Sequence, residues 1–211
     1  MIHDPELDRT TDGHGPVRDF TLDELRRLDA GHGFVAIDGS RSARGRGHRI
    51  PTLDELLAAH PDVPVNIEIK QDDPPIEEAV LATLDRHGAR ERTLLAAEHA
   101  HIMQRIRAVA PDVLTSHSAA EVAEFVGRIR DGTLAGYRPP GIAFQVPPSY
   151  LDISIVTQEF VATAHRLGTE VHVWTINDPA EMHALLDLGV DAIMTDVPAL
   201  GVQVFRARGL R

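Results

Sequence analysis

The chain has 211 residues, 43 % of them apolar and 25 % charged, the make-up of a globular protein with one sizeable core. A formal net charge of −11 argues against nucleic acid as a partner, because phosphate binding calls for a basic face. The lack of cysteine excludes disulfides, thiolate metal sites and a cysteine nucleophile, and no run of about 18 apolar residues offers a transmembrane segment. Met1 to Asp4 has neither the basic nor the apolar part of a signal peptide, so a cytoplasmic protein is expected.

The opening run Ile2-His3-Asp4-Pro5 puts a histidine beside a carboxylate. Imidazole titrates near neutrality and suits a general acid or base, although by spacing alone a terminal histidine is ordinarily just solvated. Thr21 with Glu24 is a capping pair and predicts a short helix over Leu22–Leu28. Residues 29–50 are rich in Gly, Arg and Ser and predict an irregular loop. Its basic stretch, Arg41 to Arg49, fits a solvated loop better than a holder of an anionic substrate.

From residue 52 helical patterns alternate with short β-branched runs. Thr52 with Glu55, Ser118 with Glu121 and Asp178 with Glu181 place a cap three residues before a carboxylate. Pro179 stands where a missing N–H is harmless, and Gly88, Gly168 and Gly189 mark helix ends. Between them the predicted strands are 63–70, 93–97, 113–116, 142–146, 170–176 and 192–195. Strands separated by single helices make βαβ units and a parallel sheet. An eight-stranded α/β barrel typically takes about 250 residues. Six strands and a stub in 211 residues therefore predict a single domain over 1–211, a (β/α)8 TIM-type barrel truncated at its N-terminus. The alternative is a doubly wound open sheet, which normally has a Gly-rich phosphate loop after an early strand. Gly45-Arg46-Gly47 is too short for that and follows no strand.

Strands buried on both faces should be nearly all apolar. Val65-Asn66-Ile67-Glu68-Ile69-Lys70 departs from this with period two, so Asn66, Glu68 and Lys70 share one face. A Glu there suits a hard cation and a Lys beside it suits an anion; the plainer alternative is an edge strand with a solvated face. Trp174, the only tryptophan, stands near the end of another strand, as a pocket wall or as core filler. On the same face, His172 is expected to be a hydrogen-bonded core histidine. Asn177 follows at the turn, Asp196 is expected to act as a cap or turn residue before Pro198, and Gln145 is a weaker candidate at another strand end.

Ile2-His3-Asp4-Pro5-Glu6-Leu7-Asp8-Arg9-Thr10-Thr11-Asp12-Gly13 resembles the signature of the glycerophosphodiester phosphodiesterase family. The similarity continues through residues 19–28, through Ile50-Pro51-Thr52-Leu53-Asp54-Glu55-Leu56 and through Asn66-Ile67-Glu68-Ile69-Lys70. It closes with Val173-Trp174-Thr175-Ile176-Asn177 and Gly189 to Asp196, so that these motifs stand in order over nearly the whole chain. The resemblance implies a TIM-type barrel that hydrolyses glycerophosphodiesters to an alcohol and glycerol 3-phosphate with a divalent metal ion, Mg²⁺ or Ca²⁺. It further implies His3 as one of two catalytic histidines, Glu68 as a metal ligand, Lys70 as a phosphate contact and Trp174 as a wall for the glycerol. The family's His-Arg-Gly strand and its Glu-x-Asp strand have no counterpart before His3. A barrel without them would expose strand edges, which favours a homo-oligomer.

Two other readings compete. One is a non-catalytic barrel that binds an anionic ligand or a protein partner. The other is a zinc amidohydrolase, for which His99-Ala100-His101 is the only support. That pair opens a helical pattern, Ile102 to Val109, so surface histidines on a helix account for it better.

Overall fold

The computed structural model describes residues 1–36 and 38–210. It divides into two compact units, residues 1–63 with 82–89, and residues 64–81 with 90–211.

The first unit is mostly turns. Leu7 is fully buried, its N–H donating to Gly15 O at 3.0 Å, and Val17 N–H donates to Pro5 O at 2.9 Å. Buried Thr11 ties the turn together, its hydroxyl donating to Leu7 O and accepting from Gly13 N–H. Two short helices follow, α1 (Leu22–Leu25) and α2 (Leu53–Ala59), each opened by a complete capping box, Thr21 with Glu24 and Thr52 with Glu55. Helix α1 is shorter than the expected Leu22–Leu28. Arg27 and Leu28 bond back to Glu24 O and Leu25 O, a tightened turn, and Asp29 then accepts from Gly31 and Gly45 N–H. The segment 29–50 has no regular element, Ile37 lying outside the described residues. Two of its glycines are required by space: a Cβ on Gly33 would lie 2.1 Å from Arg9 O, and one on Gly31 2.3 Å from Ala43 O.

The second unit is a parallel α/β layer. Strands β1 (Val65–Glu68), β2 (Thr93–Ala96) and β3 (Leu114–Thr115) pair in that order. Strand β4 (Ala143–Val146) joins β3 through a parallel bridge, Ser116 to Ala143, with His117 N–H on Ala143 O at 3.1 Å. After a hairpin, β5 (Ser149–Tyr150) and β6 (Ile153–Ser154), β7 (Glu170–Val173) pairs with β4, and β8 (Ala192–Ile193) pairs with β7. The six expected strands are all present, each one to four residues shorter than the apolar pattern. The hairpin was not anticipated.

Helices α3 (Glu77–Arg86), α4 (Ala100–Val109), α5 (Ala119–Asp131), α6 (Gln158–Arg166), α7 (Pro179–Leu188) and α8 (Pro198–Ala207) alternate with the strands. None of the described helices is long and apolar enough to cross a membrane. Ser118 caps α5 in a full box with Glu121, and Val122, Phe125, Val126 and Ile129 fall at helical spacing toward the core. Phe125 stacks on Phe144 at 4.3 Å, and Phe160 of α6 meets both edge-on at 5.2 and 5.5 Å. Full burial of each ring contributes roughly 1.5–3 kcal/mol, which fixes α5 and α6 against β4.

Candidate active site

The layer has two unlike faces. On β1, Ile67 and Ile69 are buried while Asn66, Glu68 and Lys70 are exposed. On β7, Val171 and Val173 are fully buried, His172 is half-buried and Trp174 is 42 % exposed. Gln145 of β4 is in register with His172, so the polar residues of all three strands share one face. Because the strands are parallel, Lys70 and Trp174 both stand at strand exits, where βα barrels carry their sites.

Glu68 and Lys70 form an ion pair, Nζ to Oε2 at 2.9 Å, with each side chain over a third exposed. The pairing of β1 extends past its last residue, since Ile69 N–H donates to Ala96 O at 2.8 Å, and this holds Lys70 in strand register. Strand β1 is an edge, with β2 as its only partner strand among the described residues. The solvated-edge reading of this segment therefore describes its surroundings correctly, even though the two charged groups meet.

Trp174 is tied to the neighbouring strand by its N–H on Val146 O at 3.2 Å. His172 is hydrogen-bonded as expected: its Nε2 lies 2.9 Å from Glu170 Oε2, and its Nδ1 lies 3.4 Å from Gln145 Nε2. Asn177 joins the exits of β7 and β8, its Nδ2 donating to Asp196 Oδ2 and its Oδ1 accepting from Thr195 Oγ1 and Asp196 N–H, all within 3.0 Å. The N-cap of α8 is Val197, not Asp196, whose carboxylate is taken by Asn177.

His3 belongs to the first unit. It sits in a bend rather than at a strand end, largely exposed, with Nδ1 2.7 Å from Asp4 Oδ1. Arg9 grips the same carboxylate at 2.5 and 2.9 Å. The bonds from Arg9 and then His3 hold the Asp4 carboxyl well below the usual range, so it is charged at any working pH. An anionic Asp4 fixes the proton on Nδ1 and leaves Nε2 as the acceptor, the tautomer a general base needs.

The zinc reading fails on geometry. His101 lies in the first turn of α4, bonded to Asp72 at 2.9 Å, and its ring stacks on His99 with 5.5 Å between centroids. Arg105 and His101 together keep the Asp72 carboxyl low. Among the described residues no three His, Asp or Glu groups gather as a metal site. The same holds for the hard cation expected at Glu68, which would take several oxygen ligands. Glu68 supplies one carboxylate, already neutralised by Lys70, so the donor set does not fit a resident ion.

Sequence reasoning passed over His117, which is buried between β3 and α5 and stacks on Phe144 at 3.9 Å. Its Nδ1–H donates to Ala143 O and its Nε2 accepts from Gly141 N–H. Both nitrogens are occupied, so it is structural. Nothing in the local pattern separates it from a strand-exit ligand. A groove of about 590 Å³ along β8 and α8 is lined by Ile193, Thr195, Val202, Phe205 and Leu210, with Arg206 as its one charge. It includes none of Glu68, Lys70 or Trp174.

The Glycerophosphoryl diester phosphodiesterase family model matches residues 1–200. A glycerophosphodiester phosphodiesterase of Caldanaerobacter subterraneus subsp. tengcongensis is 31 % identical over 99 % of this chain and 81 % of its own length. Among solved structures, the glycerophosphoryl diester phosphodiesterase domain of Mycobacterium tuberculosis Rv2277c superposes with a TM-score of 0.80 at 20 % identity, covering 97 % of this chain and 82 % of its own. An Oleispira antarctica phosphodiesterase, solved with the product sn-glycerol-3-phosphate, reaches 0.69 at 24 % identity, covering 96 % and 76 %. These two likenesses show the fold, a TIM-type barrel of mixed α and β structure.

Proposed function

Since this chain belongs to the glycerophosphoryl diester phosphodiesterase family, a family of phosphoric diester hydrolases, we propose that residues 1–211 act as one domain that hydrolyses glycerophosphodiesters to an alcohol and glycerol 3-phosphate. The observation that carries the reading is the Glu68–Lys70 pair at the exit of β1, in a chain that matches the family over 200 residues. In the reaction the bond from phosphorus to the alcohol oxygen breaks, water supplies hydroxyl to phosphorus, and the alcohol leaves with a proton.

Lys70 anchors the phosphodiester as a point charge. An exposed ion pair is worth only about 0–1 kcal/mol, so an incoming phosphate readily takes the ammonium from Glu68. Trp174 forms the wall for the glycerol. His3, with Nε2 free, carries the proton to or from the reacting oxygens. Glu68 is the carboxylate that would meet a Mg²⁺ or Ca²⁺ ion. One such oxygen donor is too few to hold a hard cation.

The test is release of glycerol 3-phosphate from glycerophosphocholine. His3→Ala should lower kcat by about 10²–10⁴-fold if the group moves a proton. Lys70→Ala should act chiefly on substrate binding and raise KM. Turnover indifferent to both changes would overturn the site assignment. A second reading, an anion-binding barrel without turnover, is favoured by the poor metal donor set; it requires glycerol 3-phosphate to bind while no product forms.

A further inference from the structure

The dense basic stretch of the first unit is pinned in place. Residues 31–36 and 40–45 run side by side as two arms, joined by Ala36 N–H on Ser40 O at 2.9 Å. Toward their base, Ala30 N–H donates to His48 O at 3.0 Å, and the Arg44 guanidinium donates to His32 O at 3.2 and 3.0 Å. Asp29 Oδ2 accepts from Gly45 N–H at 2.7 Å. Gly31 lies tight against Ala43 O, and Gly33 against Arg9 O. These arms present two kinds of side chain to water. Phe34 and Val35, adjacent on one arm, are 53 and 52 % exposed. On the other side Arg41, Arg44 and Arg46 are exposed, and among the described residues no carboxylate pairs with them. Asp38, the one carboxylate between residues 30 and 50, accepts from Ser40 N–H at 2.9 Å. A single exposed apolar residue is ordinary. An aromatic and an aliphatic neighbour beside unpaired cations match a membrane interface, where apolar groups enter the acyl boundary and cations meet anionic headgroups.

We propose that this loop docks the protein on an anionic lipid bilayer, with Phe34 and Val35 in the headgroup–acyl boundary and Arg41, Arg44 and Arg46 on the anionic headgroups. Docking of this kind sets where the protein sits and is independent of what it hydrolyses. The net charge of −11 acts weakly at contact. In about 0.15 M salt charges are screened over about 8 Å, so a bilayer that touches the arms meets their arginines first. Nucleic acid would engage the arginines too, but it offers no apolar phase to receive Val35. Because the arms are already pinned to each other and to Arg9, little backbone freedom is lost on binding.

The test is co-sedimentation of the 211-residue chain with vesicles of phosphatidylcholine, alone or with about a third phosphatidylserine. The protein should pellet with the mixed vesicles, stay in solution with pure phosphatidylcholine, and come off as salt rises from about 0.15 to about 0.5 M. Arg41→Gln/Arg46→Gln should weaken partitioning by about tenfold or more, since each arginine at an anionic surface is worth about fivefold. Phe34→Ser/Val35→Ser should weaken it by about threefold or more. Arg130→Gln/Arg138→Gln makes the same change in net charge on exposed arginines of the second unit and should stay within about twofold. All six positions are exposed, so the variants keep the fold. No retention on the mixed vesicles, equal retention on both compositions, or an equal loss in the Arg130/Arg138 pair overturns the docking surface. So does a Phe34/Val35 variant that binds as the native protein does, because the apolar pair would then stay outside the bilayer. Binding to a short DNA duplex that is tighter than binding to vesicles and is lost with Arg41 and Arg46 would make the loop a nucleic-acid contact and overturn it equally.

Discussion

His117 has both ring nitrogens bonded and little water around it. Burial pushes its pKa below the ordinary 6.5, against the weaker pull of the Ala143 carbonyl and Glu121. The unfolded chain therefore takes up a proton first. The stability that His117 contributes is fully present above about pH 6.5 and is lost as pH falls below it. Urea midpoints measured from pH 7.5 to pH 5.5 should fall, and His117→Asn, whose Nδ2 stands where the Nδ1 donor to Ala143 O stood, should flatten the slope; an unchanged slope would remove His117 from the account. Nearby, Arg107 links Glu121, Thr115 Oγ1 and Ser116 O. Burial raises the Glu121 pKa, but the bonds from Arg107 and Ser118 N–H outweigh it and leave the carboxyl low. At this scale the local pattern showed that Glu68 and Lys70 share a face, because a strand alternates sides whatever surrounds it. It was silent on the buried His117, whose role is set by Ala143 and Gly141, two dozen residues away.

Capping boxes are local chemistry, and the ones expected at Thr21, Thr52 and Ser118 all form. Asp178 likewise caps α7, accepting from Glu181 N–H. Ser118→Ala should cost about 1 kcal/mol and lower Tm by about 2–4 °C, since the N–H of Glu121 loses its acceptor; calorimetry of the single variant checks this. Strand lengths were less legible. Strand β3 is two residues long because Ser116 N–H still serves Leu95 O while Ser116 also bridges to Ala143, so the chain changes partner within a turn. The β5–β6 hairpin left little trace in the sequence: Leu151-Asp152 is not a customary two-residue turn, and its identity depends on a conformation that leucine seldom adopts.

For the molecule as a whole, ligand binding is the accessible measurement. At 100 times its Kd, glycerol 3-phosphate should stabilise by about 2.7 kcal/mol, raising Tm by roughly 5–10 °C for a chain of this size. Lys70→Ala should abolish the rise, and a rise that persisted would move the phosphate site elsewhere. EDTA should leave Tm of the unliganded protein unchanged within about 1 °C, because no three-ligand group exists among the described residues. A fall with EDTA, restored by Mg²⁺ or Ca²⁺, would show that ligands gather in solution that are apart here. The βα order, the parallel sheet and the family were determined by the sequence alone. Hydrophobic periodicity, caps and contiguous motifs are local properties, which survive without knowledge of what packs where. Only the tertiary structure decided that Lys70 neutralises Glu68, that Asn177 rather than a helix end takes Asp196, that His117 is walled in and that Tyr150, Leu151 and Ile153 stand in water. Each of those depends on side chains from segments far apart in the chain, or on the solvent left around them, and neither is written in any one stretch of residues.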